Sequence, residues 1–127
     1  MMVRTKGRRK IDVQGRRYVW YVLAGDRDYW MRVENGGSDW AWETPFLHII
    51  SEDKRLILTI PLNAPTPYAV SKGREFQGKQ TSGCWERYVL PFDIPESITP
   101  RFVAEVIEWT VSGNGAVKKE YSAEFRF

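Results

Sequence analysis

Lys10-Ile11-Asp12-Val13-Gln14-Gly15-Arg16-Arg17-Tyr18-Val19-Trp20-Tyr21-Val22-Leu23 sets the architecture of this chain. Two β-prone runs flank Gln14-Gly15, and a two-residue connection containing Gly reads as a tight hairpin. In that register Ile11 stands opposite Tyr18 and Asp12 opposite Arg17. Opposite charges directly across a strand pair are mildly stabilising, so the alignment is self-consistent. Tyr18, Trp20 and Val22 share one face of the second strand, and Val19, Tyr21 and Leu23 share the other. A strand apolar on both faces belongs in the middle of a sheet or beneath a second layer.

Working outward, the next hairpin is expected where Phe46 to Ile50 and Arg55 to Leu62 flank Ser51-Glu52-Asp53-Lys54. Pairing Ile50 with Arg55 puts Leu47, Ile49, Leu56, Leu58 and Ile60 on a core face. Phe46, His48, Ile50, Ile57 and Thr59 make the opposite, mixed face. Pro61 lacks an amide donor and ends the strand or marks an edge. Between the hairpins, Tyr29 to Glu34 reads as a short strand and Asn35-Gly36-Gly37-Ser38 as a turn. Asp39-Trp40-Ala41-Trp42-Glu43 follows, with Trp40 and Trp42 on one face when extended.

Residues 63–84 lose the rhythm and read as a long loop, divided by a short strand near Tyr68-Val70. Cys84 to Leu90 is a further strand candidate, stopped by Pro91. Thr99 and Pro100 then open the one clear helix, with Phe102, Val103, Val106, Ile107 and Thr110 on a single stripe. Gly113 and Gly115 close it. The pattern after Val117 suits a strand or a helix equally. The expected fold class is α+β and mainly antiparallel: a twisted sheet or partly open barrel of five to seven strands, covered by one C-terminal helix over about 100–112. The expected organisation is a basic, flexible N-terminal arm (1–9) and a single globular domain (10–127).

The chain has 127 residues, 19 Lys+Arg, 16 Asp+Glu, one His, one Cys and six Trp. One Cys and one His cannot build a Cys/His zinc site or a disulfide framework, so neither metal nor cofactor is expected. No apolar run reaches the roughly 20 residues that span a bilayer, and no apolar stretch follows the basic N-terminus as in a secretory leader. A cytoplasmic protein without membrane partners is expected. The net charge of +3 is divided unevenly, with +6 in residues 1–17 and −3 in the remainder.

Function is weighed on three kinds of residue. His48 and Cys84 carry no nucleophile signature, and a hydrogen-bonded sheet histidine and a buried thiol explain them more simply. Asp39 and Glu43 bracket two Trp side chains, but in an extended segment they lie about 13 Å apart, too far for either glycosidase geometry. A carboxylate-dependent hydrolase, drawing also on Glu75, is therefore the third choice. The aromatic excess suits a binding surface better, since Trp and Tyr bring large contact area with a polar handle. Trp20 and Trp109 are assigned to the core. Trp40, Trp42, Trp85 and Arg87 are assigned to a ligand- or partner-binding face of a non-enzymatic module that takes a protein or small ligand. The alternative is a nucleic-acid binder using Arg4, Lys6, Arg8, Arg9, Lys10, Arg16 and Arg17.

Overall fold

The structure is a computed structural model that describes residues 8–24, 45–62, 64, 66–81, 83 and 85–117. Strand β1 (Arg9–Val13) turns through Gln14-Gly15 into β2 (Arg16–Ala24). Both turn residues have positive φ, 53° and 80°, the left-handed pair that matches the twist of the flanking strands. Ile11 faces Tyr18 and Asp12 faces Arg17, as the sequence requires, and the Arg17 Nε donates to the Asp12 carboxylate at 2.9 Å.

Strand β3 (Pro45–Ser51) pairs with β2, and β4 (Ile57–Pro61) pairs with β3. The β3–β4 hairpin differs from the expected alignment: Ile50 lies opposite Ile57, not Arg55. Side-chain chemistry in the loop sets the wider connection. Asp53 accepts from the Ser51 hydroxyl (2.6 Å) and the Arg55 amide (3.1 Å), and the Ser51 hydroxyl accepts from the Leu56 amide (2.9 Å). Lys54 takes φ 65° to let the chain return. A slip of two residues preserves alternation, so Leu47, Ile49, Leu58 and Ile60 keep their expected common face.

Residues 63–84 hold more order than expected. Strand β5 (Tyr68–Ser71) extends the sheet, and β6 (Glu75–Phe76) and β7 (Lys79–Gln80) form a small separate hairpin. Its turn, Gln77-Gly78, repeats the positive φ values of the first hairpin, 52° and 77°. Strand β8 (Glu86–Val89) pairs with β5 and completes a six-stranded antiparallel sheet in the order β1-β2-β3-β4-β5-β8. The sheet is open rather than closed into a barrel, with β1 and β8 at its edges.

Helix α1 (Pro100–Ser112) occupies the predicted residues. The Thr99 hydroxyl accepts from the Phe102 amide at 3.2 Å, and the five stripe residues are the buried ones. Gly113 follows the last turn of the helix, where there is no room for a side chain. Its φ is −70°, and a Cβ there would lie 2.5 Å from the Trp109 carbonyl and 2.8 Å from the Gln77 side-chain nitrogen.

The core fills the space between α1 and one sheet face, where Tyr18, Trp20, Leu47, Ile49, Leu58 and Ile60 meet Phe102, Val103, Val106 and Ile107. The β6–β7 hairpin closes one side of it, with Phe76 stacked on Tyr88 (4.0 Å) and edge-on to Trp109 (5.4 Å). Trp20 is buried, and Trp109 packs half-buried against the same cluster. Among the described residues no helix is long and apolar enough to cross a membrane. The segments 29–34, 35–43 and 118–127 lie outside the described residues.

Candidate binding face

Alternation along the strands assigns every side chain to one of two faces. One carries the core and α1. Among the described residues no helix or strand is stacked on the other. Its composition follows from the register. Tyr21 faces His48, His48 faces Thr59, Thr59 faces Val70, and Val70 faces Arg87. These residues form one row crossing five strands. The neighbouring row runs Lys10, Val19, Ile50, Ile57 by the same pairing. It continues to Lys72, whose amide donates to the Ile57 carbonyl at 2.9 Å, and to Trp85, whose ring centroid is 4.5 Å from the Lys72 ammonium.

The two rows differ in exposure. In the first, His48, Thr59, Val70 and Arg87 are buried. His48 stacks on Tyr21 with ring centroids 4.8 Å apart, and its Nδ1 is 3.3 Å from the Thr59 hydroxyl. That is a hydrogen-bonded sheet histidine. In the second row Val19, Ile50 and Ile57 are half-buried, Lys10 is exposed, and Trp85 retains 41 % of its surface. Among the described residues, basic charge dominates this face. Arg8, whose guanidinium lies 4.6 Å over Tyr21, joins Lys10, Arg17, Lys72 and Arg87 there. Asp12 is the one carboxylate among the described residues of these strands on this side, and it is bonded to Arg17.

The residues singled out from the sequence therefore separate. Trp85 lies on this face and is exposed. Arg87 lies on it but is 3 % exposed, with its guanidinium 5.1 Å from the Tyr68 ring, so it sits beneath the surface rather than edging it. Of the seven basic residues, the five described ones divide between the two faces. Arg8, Lys10 and Arg17 share this face, while Arg9 and Arg16 alternate to the other side. Arg9 lies over Trp20 (5.5 Å). Trp40, Trp42, Arg4, Lys6, Asp39, Glu43 and Cys84 lie outside the described residues. Sequence alternation does not single out Val19, Tyr21, Ile50, Ile57 and Lys72, because only the cross-strand register brings them to Trp85.

Arg16 belongs to an ion-pair cluster that ties three turns together. Its guanidinium donates to Glu75 at 2.9 and 3.1 Å and to Asp53 at 3.0 Å, and Arg55 reaches Glu75 at 3.2 Å. Arg16 lowers the Glu75 carboxyl below its ordinary 4.5, with burial opposing. The Ser51 hydroxyl, the Arg55 amide and Arg16 hold Asp53 far below the usual carboxylate range. A depressed carboxyl adds stability above its unfolded-state value, and that stability is lost as pH falls through the folded-state value. Glu75→Gln is expected to cost about 1–2 kcal/mol at neutral pH, a difference from wild type that narrows in acid. Urea unfolding of both proteins across pH 2–7 checks it; a constant difference would show that Glu75 does not act through its charge.

A cavity of about 450 Å³ lies on the other side, between the β6–β7 hairpin, β8 and Asn114 to Ala116. The Tyr88 hydroxyl donates to Glu86 at 2.7 Å there, and burial with the Glu86 charge pushes the Tyr88 hydroxyl up, keeping it protonated. Glu86 is the one carboxylate among the described lining residues.

No family model matches the chain, and no curated protein or solved structure matches it.

Proposed function

We propose that the protein is a non-enzymatic binding module, a single domain over 10–127 with a basic arm at 1–9, that takes an anionic partner at the Lys10 and Val19 end of the sheet face opposite α1. One observation carries this reading: the half-exposed row Val19, Ile50, Ile57 is bounded by a lysine at each end, with Trp85 beyond the second. An apolar centre with a charged rim is the ordinary anatomy of a protein interface. Nucleic acid is the second reading, favoured by Arg8 and Lys10 beside Tyr21, and steep weakening by salt would mark it. A cytoplasmic location suits a chain with a single Cys.

Labelled polyglutamate and single-stranded oligothymidine are suitable probes. Binding of at least one is expected in low salt, weakened about tenfold by Lys10→Glu or Lys72→Glu because a like charge then meets the ligand. Arg101→Glu, on the exposed side of α1, is the control and is expected to change little. Equal loss with Arg101→Glu would mean that total charge, not this face, attracts the probe.

A further inference from the structure

We infer that two copies of the chain join edge to edge through β1, antiparallel about a two-fold axis at Ile11, so that Lys10 of each copy stands opposite Asp12 of the other. The dimer is separate from any anionic partner and needs no ligand.

The backbone phase of β1 fixes which groups point out of the sheet. The tight turn makes Val13 and Arg16 a hydrogen-bonded pair, so the bonded pairs are Val13–Arg16, Ile11–Tyr18 and Arg9–Trp20. The Arg17 carbonyl accepts from the Glu52 amide at 2.9 Å, on the β3 side, which agrees with that phase. Lys10 and Asp12 therefore turn their amides and carbonyls to the outer edge. Both residues are exposed, and among the described residues β2 is the one strand that pairs with β1. The opposite edge of the sheet is engaged, because the Val89 amide of β8 donates to the Val117 carbonyl at 2.8 Å.

An edge with outward main-chain groups is a template for another strand, and charged side chains commonly guard it. Here the sign changes from Lys10 to Asp12, which makes the edge complementary to itself. Antiparallel pairing must set outward groups against outward groups, which leaves two-folds at Lys10, Ile11 or Asp12. The first sets lysine against lysine, and the last sets aspartate against aspartate. The two-fold at Ile11 sets Lys10 against the partner's Asp12 twice over, with about four main-chain bonds. Asp12 can keep its bond to Arg17, since 58 % of its side chain is exposed and can meet a second cation. On the α1 side, each half-buried Ile11 packs against its own core and meets the partner's Ile11 in a non-bonded pair, where side chains come closest. A five-residue edge buries less than a standard interface, so the dimer is weak, with a dissociation constant on the order of 100 µM.

The test is sedimentation equilibrium of the full chain without ligand, from about 10 µM to about 1 mM, in about 150 mM salt to screen the basic N-terminal stretches from each other. The wild type is expected to pass from monomer to dimer across that range. Lys10→Glu sets carboxylate against carboxylate at both contacts, and Asp12→Lys sets ammonium against ammonium, so each alone is expected to weaken the dimer about tenfold. An equimolar mixture of the two variants regains opposite charges at both contacts and is expected to dimerise as the wild type does. Lys10→Pro, at an amide that β2 does not use, removes main-chain bonds of the dimer without touching the Asp12–Arg17 pair and is expected to weaken it likewise. Thermal unfolding close to wild type establishes that each variant is folded. A chain that stays monomeric to about 1 mM overturns the dimer. So does a dimer unchanged by Lys10→Glu and Lys10→Pro, or a mixture as monomeric as its two parts. Polyglutamate and oligothymidine binding are read separately, so loss of the dimer leaves the anionic partner standing.

Discussion

Phe76→Ala is expected to lower stability by about 3–5 kcal/mol, the range for emptying a buried aromatic site. Phe76 is 3 % exposed and stands at the junction of the small hairpin, the sheet and the helix. It stacks on Tyr88 from β8 and meets Trp109 of α1 edge-on, so one truncation removes two aromatic contacts from different elements. The site cannot easily collapse. The Gln77 amide donates to the Thr110 carbonyl (2.7 Å), and its side chain bridges the Trp109 carbonyl and the Ala116 amide, holding the hairpin backbone in place. Thermal unfolding is expected to shift down by about 10 °C or more. A shift of only a degree or two would show that the hairpin is peripheral to folding.

Gly73→Ala is expected to be the most damaging change outside the apolar core, at about 1–3 kcal/mol or more. The added methyl would run into the Arg55 carbonyl and lie 2.7 Å from the Ile57 nitrogen. Both obstacles are backbone, and both are already engaged. The Arg55 carbonyl accepts from the Arg74 (2.7 Å) and Glu75 (3.2 Å) amides, so relief requires the β3–β4 loop and the start of β6 to separate. Gly78→Ala is the comparison. Its φ of +77° is strained for a side chain, but nothing lies within 4 Å of an added Cβ, and about 1 kcal/mol is expected. Urea unfolding of the two variants in parallel distinguishes close approach from backbone conformation, and a Gly73 variant no worse than Gly78 would contradict this packing.

Much of the fold was legible because its signals are local. Gln14-Gly15 fixes the first hairpin through its own backbone preference, and Thr99-Pro100 with its stripe fixes the helix. The β3–β4 register was not legible. It depends on which hydrogen bonds Ser51 and Asp53 make with Leu56 and Arg55, and alternation alone permits a slip of two. The β6–β7 hairpin escaped because two-residue strands show no periodicity. Its one signal was Phe76-Gln77-Gly78-Lys79, which repeats the form of Val13-Gln14-Gly15-Arg16.

The binding face was legible only in fragments. Phe46, His48, Ile50, Ile57 and Thr59 were assigned one mixed face, and that grouping is correct for the hairpin. Nothing local joins it to Lys10 on one side or to Lys72 and Trp85 on the other. The basic N-terminal stretch shows the converse. Seven cations adjacent in sequence look like one patch, yet strand alternation sends Arg9 and Arg16 to the core side, where Arg16 meets Glu75 and Asp53.

The assignment of function to the sheet face opposite α1 is most directly examined by amide chemical shifts of the ¹⁵N-labelled protein as polyglutamate or oligothymidine is added. Shifts concentrated at Lys10, Val19, Ile50, Ile57, Lys72 and the Trp85 indole, with residues 100–112 unmoved, are the expected result. Shifts concentrated on α1 or around the cavity beside Tyr88, with Ile50 and Ile57 unmoved, would contradict it.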